Sequence, residues 1–374
     1  MKRILYIGNP MSIHDLKWIN HLNNSGEVDA YFSFDKILSE GELKSLTDQK
    51  IKLGPQLTPF RLLNWVQNFR TFFRMKKFIF ENEIDCIHIF IGSSKIIIPS
   101  LLHTPTVLTT RGTDVNYTLK ELFKSSGFKD KILFSVLKKA YHRIDQITCT
   151  SNTQIVAIKD VLGVLKVKPE LIRTGVDLEA LLEIQPYQFA NVNKASKTVL
   201  FIRNIHKNYD PLLSVNGVLL MDKKVRDDSH FVFMKGLNYT VSLFEEMKCI
   251  LDQNEINYTF IDPAPNNDVW GLIKIADLVV MNPLSDGTPN TAIEAMGAKT
   301  SLIMGYCAYD SDLFNASTTI FLSKRDPEEL AQKMTHQLLY VKNELLENAF
   351  NVAWEKGRQS VEMKKVIALY NKLG

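Results

Sequence analysis

Residues 278–297 read LVVMNPLSDGTPNTAIEAMG. The run Leu278–Met281 has the length and apolar composition of a strand buried on both faces. A polar turn follows, with Pro283, Ser285, Asp286 and Gly287. A helical stretch comes next, for which Thr288 suits the N-cap and Pro289 the first helical position. Strand, turn and helix form the repeating unit of a doubly wound α/β domain, which takes its ligands at the carboxyl ends of its strands. The free N–H groups at the start of such a helix, around Asn290, hold phosphate or sugar oxygens. Gly287 lets the backbone approach a ligand closely. Asp286 in the turn and Glu294 in the helix are carboxylates able to accept hydrogen bonds from vicinal hydroxyls. For either acid alone, attraction to the positive end of the helix is an equal explanation. The whole constellation favours a ligand site.

Working outward, the same unit repeats. Strands are expected at 198–202, 231–235, 258–261 and 301–304 besides 278–282. Helices are expected near 209–222, 239–254, 267–276, 289–298, 327–346 and 349–370. The first half repeats the pattern, with strands at 3–7, 28–34, 86–91, 106–109 and 146–150. Its helices fall near 12–25, 59–83, 93–102, 128–143 and 152–163. The stretch 185–197 between the halves is polar and unpatterned. The expected fold is α/β: two doubly wound Rossmann-like domains facing a cleft. Residues 1–185 form the first, 186–197 the linker and 198–350 the second. Residues 351–374 form a final helix that packs back on the first domain.

A chain of 374 residues has ample material for two cores. Its net charge of +4 is too weak to imply nucleic acid, but suits an anionic small ligand or an anionic membrane surface. The cysteines Cys86, Cys149, Cys249 and Cys307 show no metal-ligand or redox spacing. They read as free thiols in a reducing, cytoplasmic setting, and no metal site is expected. The apolar run after Met1 is too short for a signal peptide and reads as a strand. No stretch reaches the roughly 20 apolar residues of a spanning helix, so a membrane contact would be peripheral.

Other chemistry-bearing residues also follow strands. Arg203-Asn-Ile-His-Lys207-Asn-Tyr comes after 198–202, and Gly236 after 231–235. Fixed cations there would stabilise the charge on a diphosphate leaving group. Ser12 and His14 follow the first strand, and Arg111 and Asp114 follow 106–109. Helix capping is the plainer reading for His14, and for Asp114 a cap and an acceptor-side carboxylate are both open readings. Neither a G-x-G-x-x-G fingerprint nor a G-x-x-x-x-G-K-[ST] phosphate loop is present.

The segment Asp286, seven residues, Glu294-Ala-Met296 resembles the acidic motif of family-4 glycosyltransferases of the GT-B fold. In its Ser-Asp-Gly-Thr-Pro-Asn form it is similar to members with Asp in place of the first Glu. Arg203 and Lys207 match the family's basic pair, with Lys207 one residue closer than usual. Gly236 matches a family glycine. Thr174-Gly-Val-Asp177 looks like the family's Asn-Gly-Val-Asp segment. Where the family has a Gly and a Pro after the motif, this chain has Lys299 and Ser301; where it often has His, this chain has Arg111.

The resemblance implies a retaining, metal-independent, hexosyltransferase-type enzyme without a cofactor, using a nucleotide-diphosphate sugar, UDP by family frequency. Asp286, Arg203 and Lys207 would serve catalysis. Glu294, Gly287, Thr288, Pro289, Asn290 and Gly236 would bind the donor, with Glu294 on the ribose. His14, Ser12, Arg111 and Asp114 would contact the acceptor or sugar from an acceptor-side first domain. A glycan or lipid-linked acceptor in cell-surface polysaccharide or glycoconjugate synthesis follows. A nucleotide-sugar epimerase of the same fold and a non-catalytic sugar-nucleotide or glycan-binding subunit are the rivals. Finally, 59–80 is basic, aromatic and free of acids, and a second basic stretch runs from Lys120 to Arg143. Attachment to anionic lipid and a core-facing helix with solvated cations are equal readings of 59–80.

Overall fold

The computed structural model describes residues 1–9, 12–35, 38–187 and 197–373, with the side chains of residues 13 and 14 left out. Most of the expected linker lies outside the described residues. Seven strands form the first sheet: β1 (Lys2–Ile7), β2 (Val28–Phe34), β3 (Lys52–Gln56), β4 (Cys86–Phe90), β5 (Thr106–Thr110), β6 (Gln146–Cys149) and β7 (Glu170–Leu171). Six form the second: β8 (Lys197–Phe201), β9 (Ser229–Met234), β10 (Tyr258–Ile261), β11 (Leu278–Met281), β12 (Ser301–Met304) and β13 (Ile320–Phe321). The orders are β3-β2-β1-β4-β5-β6-β7 and β10-β9-β8-β11-β12-β13, and all pairs are parallel. Each sheet reverses its winding once, between β1 and β4 and between β8 and β11. These are the positions where doubly wound sheets open a crevice.

Period-two alternation assigns each strand's side chains to two cores. Ile4 and Tyr6 of β1 join one apolar cluster, while Leu5 and Ile7 join another. In the second sheet Val199 and Phe201 oppose Leu200 and Ile202, and Leu278 and Val280 oppose Val279 and Met281. Helices cover both faces, which is why these strands are apolar throughout.

The chain separates into two compact units, 1–174 with 360–374, and 175–359. Gly175 and Gln359, the two ends of the second unit, lie side by side. The Gly175 φ of +70° is left-handed, and a Cβ there would lie 2.6 Å from the Gln359 Cα. Val176 then bridges Arg358. The final helix, Gln359–Leu373, presents Met363, Val366, Leu369 and Tyr370 to the cluster of Ile4 and Tyr6.

Several expected elements change. The helix read across 349–370 is two helices, Asn343–Lys356 and Gln359–Leu373. Gly357 ends the first, and a Cβ there would meet Ile293 at 2.6 Å. The stretch 93–102 is two 3-10 turns, Ser94–Ile96 and Pro99–Leu101. Pro99 lacks the N–H to continue a helix, and β-branched Ile96–Ile98 favour none. The helix read from 59 starts at Trp65, capped by the Asn64 side chain on the Gln67 N–H. The helix read to 346 ends at Leu339. Two short edge elements, β7 and β13, and β3 with its Gly54-Pro55 pair, were unmarked by any apolar run; proline in a sheet belongs at such an edge.

Candidate functional site

The site of the second unit is built at the reversal between β8 and β11. The Arg203 Nη2 donates to the Asp286 Oδ2 at 2.9 Å, with each side chain 20% exposed. The guanidinium also lies 4.4 Å above the Tyr209 ring, a cation–π contact that fixes its plane. The Leu284 N–H donates to the Asn208 carbonyl at 2.7 Å. Two loops far apart in sequence are thus laced where their strands are neighbours. On the other side of β8, the Ile205 N–H donates to the Lys235 carbonyl at 3.0 Å and the Thr240 N–H to the Ile205 carbonyl at 2.8 Å. Gly236 sits in this turn with φ +78°, and a Cβ there would come within 2.5 Å of Asn204. A depression at these strand ends is lined by Arg203, Asn204, Tyr209, Ser214, Phe233 and Asn282. Lys207 lies exposed on the same loop and forms no ion pair among the described residues.

The helix of the motif runs Asn290–Gly297, with Pro289 at its N-cap. This corrects the expected cap. The Thr288 hydroxyl does not cap the helix; it donates to the Asp310 carboxylate at 2.5 Å. The Asp310 N–H in turn donates to the Gly287 carbonyl at 2.9 Å. With no capping side chain, the first N–H groups of the helix remain donors for an anion. Glu294 is buried in this helix, 8% exposed. At the far end, Lys299 takes the left-handed φ of +57°. The Thr300 N–H donates to the Ala295 carbonyl and the Lys299 N–H to the Met296 carbonyl, the bond pair of a Schellman ending. Lys299 therefore fills the glycine role, held by Glu347 at 2.7 Å and over Phe350 at 4.8 Å.

Burial raises the pKa of the Asp286 carboxyl above its ordinary 3.8; Arg203 and the Gly287 N–H pull it back only in part. The Asp286 N–H donates to the Cys307 Sγ at 3.1 Å, and burial raises that thiol as well.

In the first unit, Ser12 caps the helix Ile13–Asn24 through the Asp15 N–H at 3.2 Å. The His14 side chain lies outside the described residues. Arg111 pairs with Asp15 at 2.9 Å and lies 5.0 Å from the Trp18 ring and 4.6 Å from that of Phe90. Burial lowers the Arg111 pKa, against the pull of Asp15. Asp114 accepts three backbone N–H bonds, from Gly92 at 2.7 Å, Arg111 at 3.1 Å and Gly112 at 2.9 Å. Its carboxylate ties the ends of β4 and β5 together. Arg111 and Ser12 meet through Asp15; Asp114 joins only the backbone of this group.

Residues 27–180 match the family model described as Glycosyltransferase Family 4. No curated protein sequence matches the chain. A glycosyltransferase from Rickettsia africae superposes with a TM-score of 0.78 at 12% identity, covering 100% of this chain and 98% of that one. Anabaena HepE in complex with UDP gives 0.77 at 11% identity, with 100% of each chain covered. WaaG, a glycosyltransferase involved in lipopolysaccharide biosynthesis, gives 0.66 at 13% identity, covering 98% of this chain and 99% of that one. The chain has the GT-B fold. The residues that match the family model lie mostly in its first unit.

Several residues of this GT-B chain's site carry no local sequence signal. Arg325 donates to the Asp210 carboxylate at 2.8 Å, to the Asn282 carbonyl at 3.4 Å and to the Pro283 carbonyl. It pins the turn that presents Asp286. Asp310, 1% exposed, holds Thr288 and Gly287. Asp310-Ser311-Asp312 is also an Asp-x-Asp, the spacing of many metal-dependent transferases, and it qualifies the expectation of no metal. Here the Asp310 carboxylate is engaged by Thr288. Among the described residues no group of three or more His, Cys, Asp or Glu could hold a metal ion. Asp15 was hidden for the same reason as Arg325: its partner lies on another strand end.

Proposed function

We propose that the chain is a glycosyltransferase that moves a sugar from a nucleotide-diphosphate sugar, bound by the second unit, to a glycan or lipid-linked acceptor. The observation that carries this reading is the Arg203–Asp286 pair, which joins the ends of β8 and β11 beside the uncapped start of the helix Asn290–Gly297. Arg203 uses one of its five N–H donors on Asp286. The others, with Lys207 and the first N–H groups of the helix, would hold the donor diphosphate. Asp286 and the Gly287–Asn290 backbone would contact the sugar, and Glu294 the ribose. Gly236 would leave room at the nucleotide.

Transfer would proceed with retention and without a metal. The acceptor oxygen bonds to the anomeric carbon on the face that the phosphate leaves. The bond to the phosphate oxygen breaks, and the acceptor proton passes to that departing oxygen. Arg203 and Lys207 stabilise the charge that develops there. No protein nucleophile is needed. A uridine diphosphate sugar is the first donor to test, because HepE was crystallised with UDP and with UDP-glucose. Synthesis of a cell-surface glycoconjugate accords with WaaG. In the first unit, Ser12, His14 and Arg111 are the proposed acceptor-side contacts, with Asp114 as a support. The compartment proposed is the cytoplasm, in keeping with four free thiols.

Thermal shift with UDP, GDP and ADP tests the reading, since a ligand bound only by the folded state raises Tm. One of the three is expected to raise it, and Arg203→Ala or Glu294→Ala to weaken that binding roughly tenfold or more, the size of a lost charge-assisted hydrogen bond. No response to any nucleotide, or unchanged affinity and donor hydrolysis in Glu294→Ala, overturns the assignment.

A further inference from the structure

The helix Trp65–Glu81 divides its aromatic residues between two sides. Thr71 and Met75 are buried, and Phe72, Phe78 and Ile79 pack against the core beneath. Trp65, Phe69, Phe73 and Phe80 face outward, with Trp65 75% exposed and Phe69 59%. At about 100° per residue these four fall within an arc of roughly 80°. The Phe69 and Phe73 rings touch, with centroids 4.5 Å apart. Lys77, Arg70 and Arg74 lie next along the same exposed half of the helix, and Lys76 lies within the aromatic arc. Core packing therefore accounts for only half of the apolar surface of this helix.

The surrounding charge says what covers the other half. From Ile51 to Phe80 there are six cations, Lys52, Arg61, Arg70, Arg74, Lys76 and Lys77, and no acid. Arg61, Arg70 and Lys76 form no ion pair among the described residues. Such a face would meet its own cations in a symmetric dimer, where the same patch faces itself. An anionic lipid surface complements both parts, since aromatic rings seat at the headgroup boundary and the cations meet lipid phosphates.

We infer that the outward face of Trp65–Glu81 docks the protein on an anionic membrane. The placement suits the site. Thr58 and Thr71 line both a groove with Asn64, Gln67, Arg70 and Arg74 and an apolar hollow at the carboxyl ends of β1 and β2. A bilayer on this face lies beside the strand ends of the first unit. The inference stands apart from the transferase reading, because it rests on exposed residues outside the donor site.

The test is flotation of the full chain with vesicles of phosphatidylcholine alone and of phosphatidylcholine with phosphatidylglycerol, at low and high salt. Binding is expected only with the anionic vesicles, and to weaken with salt. Fluorescence should shift to the blue on binding and lose that shift in Trp65→Phe, since Trp18 and Trp270 are buried and the half-buried Trp354 belongs to the second unit. The combined change Trp65→Ser, Phe69→Ser and Phe73→Ser, and separately Arg70→Glu with Arg74→Glu, should each weaken binding roughly tenfold or more. Because these side chains are exposed, far-UV circular dichroism and Tm should be unchanged, and nucleotide binding likewise. No binding of the wild-type chain at low salt, equal binding by both variants, or a concentration-dependent dimer that the serine variant abolishes would overturn the inference.

Discussion

Each unit places an arginine–aspartate pair at its strand ends and stacks the arginine on aromatic rings, yet the two pairs differ in access. In the first, Asp15 is 1% exposed, and Arg111 lies against both Trp18 and Phe90. Asp15 also accepts the Asn9 N–H at 3.1 Å. In the second, Arg203 and Asp286 are each 20% exposed, and Arg203 has one ring beneath it, that of Tyr209. The same pair of residue types thus serves two ends. The first pair is the more enclosed, and the second leaves more of its guanidinium and carboxylate exposed.

The largest effect should come from breaking the closed pair. Asp15→Asn leaves the Arg111 guanidinium buried without its counter-charge, which costs about 3 kcal/mol or more of stability by urea unfolding. Asp286→Asn should change stability by no more than about 1 kcal/mol at neutral pH, because Arg203 can turn to solvent. Equal losses in the two variants would erase the comparison. The pair also differs with pH. Burial raises the Asp286 pKa, so the folded form holds this proton more tightly than the unfolded chain. Its stabilising contribution is full below the ordinary value near 3.8 and is lost as pH rises through the folded value. Relative to Asp286→Asn, the wild-type Tm should therefore fall as pH rises above about 4. A rise would mean that Arg203, and not burial, dominates the site. The smallest effect is expected at Lys299→Gly. Removing left-handed strain of about 1 kcal/mol is offset by the loss of the exposed Glu347 pair and by a freer unfolded chain. The net change by urea unfolding should stay below about 1 kcal/mol, and a larger loss would give Lys299 a role beyond ending its helix.

What was legible in the sequence followed from local period. Val199–Ile202 and Leu278–Met281 are apolar at every position, and only strands covered on both faces need that. Asp286, Glu294 and Arg203 stood out because they follow such runs. Residues 93–102 and 349–370 misled because an apolar helical period does not record a Pro99 or Gly357 that ends it. Asp310-Ser311-Asp312 is legible as an Asp-x-Asp, but only the fold shows that Thr288 engages its first carboxylate.

By itself, then, the amino-acid order determined that this is a β/α chain with two sheets and an acidic turn after one of its strands. Each of those features is set by residues within a few positions of one another. The tertiary structure alone decided the strand order, and with it that β8 neighbours β11. That neighbourhood brings Arg203 to Asp286, the next one, β11 beside β12, brings Thr288 to Asp310, and Arg325 reaches Pro283 from beyond β13. It also decided which side of Trp65–Glu81 meets the core. A helix with aromatic residues on two faces can bury either one, and only the sheet it packs on makes the choice.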